Sequence, residues 1–136
     1  MLNTLENGDH LIISDVFYTP KRGDIVVCQD YETGHTDPVI KRIIAIEGDS
    51  IEILANGMVF VNDRLLVEEY VFIDGEDYFE GMPKTVVPEG MIFVMGDHRN
   101  LSADSRTFDS TFVREDAILG KVMLRFYPFD KFGAVE

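Results

Sequence analysis

The stretch DPVIKRIIAIEGD, residues 37–49, decides the fold. Val39, Ile40, Ile43, Ile44 and Ile46 form one short β-branched run that ends in a turn signal, the pattern of a largely buried strand. Lys41 and Arg42 stand inside it. A charged ammonium is costly there unless it is paired or gives up its proton. Two readings of Lys41 are open. It can snorkel to solvent beside Arg42. Alternatively it stays desolvated with a lowered pKa, so that its neutral amine takes a proton from a hydroxyl near neutral pH. The second reading needs a serine within reach and another hydroxyl to orient the amine.

Outward from this strand, β-rich runs dominate: HLIIS, DIVVCQ, SIEIL, MVFVN, MIFVMG and AILGKVMLRFYPF, divided by turn signals such as PKRGD, EGDS, ANG and PEG. No long segment has a helical period, so an all-β, mostly antiparallel fold is expected, with one short helix or turn near 108–116. The clearest hairpin is SIEIL-ANG-MVFVN, in which Asn56-Gly57 is expected to supply positive φ. The acidic, mixed pattern of 63–89 reads as an exposed cap or loop. Residues 1–49 and 90–136 are therefore read as a catalytic β core, and 50–89 as a small β-hairpin cap subdomain.

A chain of 136 residues that is 46% hydrophobic buries a real core and amounts to one domain, or a core with a small subdomain. The formal net charge of -13 leaves no electrostatic footprint for a nucleic acid partner. Cys28, the only cysteine, excludes an intrachain disulfide and reads as a small apolar strand residue. His10, His35 and His98 lack metal-ligand spacing, so neither a metal nor a cofactor is expected. No run approaches the roughly 18 consecutive apolar residues of a membrane span.

The richest polar cluster is GDHRNLSADSR, residues 96–106, directly after the apolar run MIFVM. It reads either as a hydrogen-bonded loop that staples strands together or as a site. In the second case one serine reaches a catalytic group while an aspartate–arginine pair holds the loop.

RGDIVV (22–27), KRIIAIEGD (41–49), VPEGMIFVMGD, GDHRNLSADSR (96–106) and the tail ILGKVMLRFYPFDKFG together resemble, in order, the boxes of bacterial type I signal peptidases, particularly the shorter Gram-positive-like members. The resemblance covers nearly the whole chain. It implies a membrane-anchored serine–lysine dyad endopeptidase, with its catalytic domain on the extracytoplasmic face of the bacterial cell membrane, that removes signal peptides from exported preproteins. Lys41 matches the general base, Ser102 the serine that orients it, and Asp104 with Arg106 the pair that buttresses the site near Arg42. Arg42, Asp97 and Arg99 are carried over as structural support. By the same resemblance Met1, Leu5, Val39 and Ile40 line the pocket for the residue before the cut. Leu11, Val27 and Ile40 line the pocket two residues earlier, and the substrate adds as a strand along Pro38 to Ile40. Such shallow pockets imply an Ala-x-Ala preference.

The family's nucleophile box runs Ser-Met-x-Pro-Thr-Leu and then Gly-Asp. This chain begins MLNTLENGD, with Met1, Thr4, Leu5, Gly8 and Asp9 in register. The nucleophilic serine is thus expected immediately before Met1 and the membrane anchor farther upstream, which leaves these 136 residues inactive as a fragment. Asn3 and Glu47 stand where the family favours proline. Two rivals remain: a self-cleaving repressor-type serine–lysine protease, against which the 96–106 box speaks, and an inactive homologue that binds signal-peptide-like segments.

Overall fold

A computed structural model describes residues 1–76 and 79–136; Asp77 and Tyr78, within the acidic stretch, lie outside the described residues. Seven strands form an antiparallel sheet: β1 (His10–Ser14), β2 (Ile25–Cys28), β3 (Val39–Ile46), β8 (Met91–Met95), β9 (Val113–Arg114), β10 (Ile118–Tyr127) and β11 (Gly133–Ala134). Their order is β1-β10-β2-β3-β8-β9, with β11 beside β10. A second antiparallel sheet, β6-β5-β4-β7, uses β4 (Ser50–Ile53), β5 (Val59–Val61), β6 (Arg64–Leu65) and β7 (Met82–Val86). The helical content of the described residues is four single 3-10 turns. The segment around 108–116 holds bends, β9 and the start of the 3-10 turn Glu115–Ala117.

β3 spans the whole Val39–Ile46 run and lies centrally, paired to β2 along Val39–Arg42 and to β8 along Arg42–Ile46. The β3–β8 register shifts between Ile43 and Ala45. This bulge interrupts the alternation of faces, so Ile44 and Ala45 both enter one cluster while Ile43 belongs to another. The first cluster is shared between sheets: Ile44, Ala45, Phe93 and Met95 pack with Ile51, Ile53, Val59 and Val61. Each fully buried side chain of this kind stabilises the fold by about 1.5–3 kcal/mol. The second sheet is thus fastened to the first through apolar burial.

Two tight turns shape the second sheet, and the first differs in detail from expectation. In the β4–β5 turn positive φ falls on Gly57, at 84°, and not on Asn56, whose side chain instead accepts the Met58 N–H at 3.1 Å. Asn62 and Asp63, with φ of 52° and 64°, form the two-residue β5–β6 turn, the left-handed pair whose twist suits a hairpin. The reading of 63–89 as exposed cap or loop is corrected in two places. Met82–Val86 is strand β7, and the stretch around Glu68–Phe72 packs against the loop after β8, where Phe72 bridges to His98. Glu68 is only 10% exposed because it meets the buried Arg99.

Candidate active site

β3 delivers Lys41 and Arg42 as neighbours, and side chains of adjacent strand residues point to opposite faces. Arg42 is buried and forks onto Asp97, with Nε–Oδ1 at 2.9 Å and Nη2–Oδ2 at 2.8 Å, while its Nη1 donates to the Gly23 carbonyl at 3.0 Å. The Tyr70 ring lies 3.8 Å from the guanidinium carbon, in cation–π geometry. Thr4 Oγ1 donates to Asp97 Oδ2, which ties the N-terminal segment to this pair. Asp97 has 0% exposure, so its removal would leave Arg42 charged, buried and unpaired. Asp97→Ala is expected to destabilise the fold by about 3–5 kcal/mol, read from urea unfolding midpoints. An unchanged midpoint would show that the pair carries no weight.

β8 leads into the loop 96–106. Asp104, fully buried, accepts from Gly96 N at 3.0 Å and forks with Arg106 through Nε and Nη2, each at 2.9 Å. Burial works to raise the Asp104 carboxyl, but the Arg106 hydrogen bonds and charge and the Gly96 N–H hold it below the usual aspartate value. The two serines of the loop separate by environment. Ser105 is stitched to β8, its Oγ accepting Val94 N–H at 2.9 Å and its own N–H reaching Val94 O at 3.1 Å. Ser102 Oγ is buried and has no partner among the described residues.

Lys41 and Ser102 converge over Gly96. A Cβ on residue 96 would overlap Ser102 Oγ and stand 3.7 Å from Lys41 Nζ. The flanking carboxylates are already taken, Asp97 by Arg42 and Asp104 by Arg106, so neither is free to pair with the Lys41 ammonium. Burial pushes Lys41 below the ordinary lysine pKa; Asp104 and Asp97 pull it partly back, and Arg106 adds to the lowering. Lys41 is half-buried at this point of β3. The Met1 α-amino group shares this setting, lowered by burial and by Lys41 and raised by Asp97. A cleft of about 470 Å³ opens here, lined in part by Met1, Leu5, Lys41, His98, Leu101 and Ser102.

Of the residues expected to bind substrate, Met1, Leu5, Leu11, Val27 and Ile40 gather in one apolar cluster with Ile25, Val122 and Val135. Val39 packs instead against the Val26–Cys28 cluster, and Pro38 is exposed. Because β8 pairing begins at Arg42, the opposite edge of β3 along Val39–Lys41 carries no strand among the described residues. Arg99 pairs with Glu68, a partner that local sequence pattern could not reveal. His98 was likewise unassigned; its Nε2 is the other buried side-chain atom without a partner among the described residues. Cys28 is buried, which pushes its thiol up to about 11 and leaves it a packing residue.

A sequence model of the family described as "Signal peptidase, peptidase S26" matches residues 1–127. The chain is 38% identical over 144 residues to a probable signal peptidase I-1 from Synechocystis sp. (strain ATCC 27184 / PCC 6803 / Kazusa), covering 98% of this chain and 69% of that protein. It is 31% identical over 147 residues to signal peptidase IB from Staphylococcus aureus (strain COL), covering 95% of this chain and 74% of that one. Among solved structures, a signal peptidase I from Enterococcus faecalis V583 superposes with a TM-score of 0.63 at 28% identity, covering 76% of this chain and 97% of the other.

Proposed function

Because the chain belongs to the peptidase S26 family of signal peptidases, we propose that it is the catalytic domain of a serine–lysine dyad endopeptidase that cleaves signal peptides from exported preproteins after Ala-x-Ala. The observation that carries this reading is that Lys41 Nζ and Ser102 Oγ both lie beside Gly96, in a cleft that Met1 also lines. A serine immediately before Met1 is the nucleophile in this account, and the 136 residues without it are inactive. Residues 1–49 and 90–136 act as the catalytic core, with 50–89 as its cap. Apolar side chains exposed near β1 and β10, among them Val16, Phe17, Phe129 and Phe132, support a membrane-facing surface below an upstream anchor. The catalytic domain then works on the extracytoplasmic side.

Neutral Lys41 takes the proton of the serine hydroxyl as its oxygen attacks the scissile carbonyl carbon. The oxyanion is held by the backbone N–H at the nucleophile, with help from an upstream hydroxyl. Collapse expels the new amino terminus, which receives the proton from Lys41, and leaves an ester. Lys41 then deprotonates water, the ester is hydrolysed, and the serine regains its proton. Ser102 holds the amine in line, so Ser102→Ala in the serine-bearing enzyme is expected to lower kcat about 10- to 100-fold. Unchanged turnover would remove Ser102 from the site. The substrate adds as a strand to the free Val39–Lys41 edge, its small side chains entering the cluster of Met1, Leu5, Leu11, Val27 and Ile40. Titrating the 136-residue chain with an Ala-x-Ala peptide tests this by NMR. Amide shifts should concentrate at Val39–Lys41 and weaken when the final alanine is replaced by phenylalanine. Equal shifts from both peptides would contradict the assignment.

A further inference from the structure

Residues 68–74, between β6 and β7, are bound to the loop 96–106. Phe72 N donates to Asp97 O at 2.8 Å, and Arg99 N donates to Phe72 O at 3.0 Å. Asp74 N donates to Asn100 Oδ1 at 3.2 Å, and Asn100 Nδ2 returns a hydrogen bond to Asp74 O. The Phe72 ring meets the His98 ring edge-on at 4.9 Å. Two side chains reach deeper. Glu68 takes both terminal nitrogens of Arg99, in a pair 10% and 4% exposed. Tyr70 covers Arg42 and donates to Glu68 Oε1 at 3.1 Å.

These contacts end on the atoms that set the site. Arg99 Nε donates to Gly96 O at 3.1 Å, and Arg106 Nη2 donates to Arg99 O at 2.7 Å. Gly96 N and Arg106 hold Asp104. The 3-10 turn Arg99–Leu101 carries Ser102 at its end. We propose that residues 68–74 form a strap that holds Ser102 and Lys41 in register, with Glu68 and Tyr70 as positioning residues. Its catalytic consequence rests on the serine–lysine reading; its mechanical action does not. Without the Glu68 carboxylate a buried guanidinium loses its partner, the turn shifts, and water reaches Lys41.

The test follows the Lys41 titration by NMR in the 136-residue chain, where no turnover is needed. The groups acting most on Lys41 are Asp104, Cys28, Arg106 and Asp97, with the Met1 α-amine close by. Glu68 is not one of them, so a changed titration after its replacement reports movement of the loop. Glu68→Gln should raise the Lys41 midpoint toward that of the exposed lysines and speed amide exchange at 97–102. Glu68→Asp, which keeps the carboxylate, should restore much of both. If Glu68→Gln does not fold, Tyr70→Leu carries the same expectation. A variant with a lowered Tm but an unmoved Lys41 midpoint and unmoved loop exchange would overturn the proposal. In the serine-bearing enzyme Glu68→Gln should lower kcat about 100-fold with KM within about twofold. An inactive wild-type enzyme would refute the functional reading while the titration still decides the strap.

Discussion

Replacing Lys41 by methionine, in the chain carrying a serine before Met1, is expected to reduce cleavage of an Ala-x-Ala peptide by at least about 10³-fold and to leave the protein folded. The loss is this large because a hydroxyl without its base retains only what binding and the oxyanion donors supply. The pH dependence carries the same signature. Lys41 works only as the free amine, so wild-type kcat/KM should rise with pH through its depressed pKa, and residual activity of the variant should lack that limb. Stability should move the other way from activity. The folded-state pKa of Lys41 is lowered, so at neutral pH the unfolded chain binds the proton more readily, and burial of this lysine weakens the fold. That penalty is greatest below the folded pKa and fades as pH rises to the ordinary lysine value. Methionine removes it, so thermal unfolding of Lys41→Met at pH 7 should match or exceed the wild type. A large drop in Tm would mean that the lysine is structural.

Gly96→Ala should be nearly as damaging. Residue 96 has no special φ, so alanine fits the backbone there, and the harm comes from space alone. The added Cβ would stand 2.6 Å from Ser102 Cβ and overlap its Oγ. Ser102 Cβ is anchored to the backbone and cannot swing aside as the end of a long side chain could. Either the serine moves off Lys41 or the loop shifts, disturbing Gly96 N on Asp104 and Gly96 O on Arg99. A loss of about 10²-fold or more in kcat is expected. Wild-type kinetics would show that Ser102 does not need its place beside Lys41.

The legible part of the fold was the part that β-branched residues dominate. Val39–Ile46, Ser50–Ile53 and Met91–Met95 each bury apolar side chains in a regular strand, and the local pattern records that. β7 escaped because MPKTV has no apolar alternation: it is mostly exposed and is fixed by pairing with β4. β6 and β9 are two residues each, too short for any period. For the candidate site, Lys41, Ser102, Asp104 and Arg106 sit in ordered boxes of the resemblance, and the structure brings them around Gly96. The pairings around it were not legible. Arg99 meets Glu68 across 31 residues and Arg42 meets Asp97 across 55, and nothing local records which acid will reach which base. His98 faces the same obstacle, because its burial follows from the bridge to Phe72.

The proposed dyad has Lys41 activating a serine placed immediately before Met1. It is tested most directly by mapping, with mass spectrometry, the cleavage of an Ala-x-Ala preprotein by the upstream-extended chain bearing serine at that position and by the same chain bearing alanine there. A single cut after the second alanine of the motif is expected with serine and none with alanine. Cleavage that persists with alanine, or a folded serine-bearing chain that cuts nothing, would contradict it.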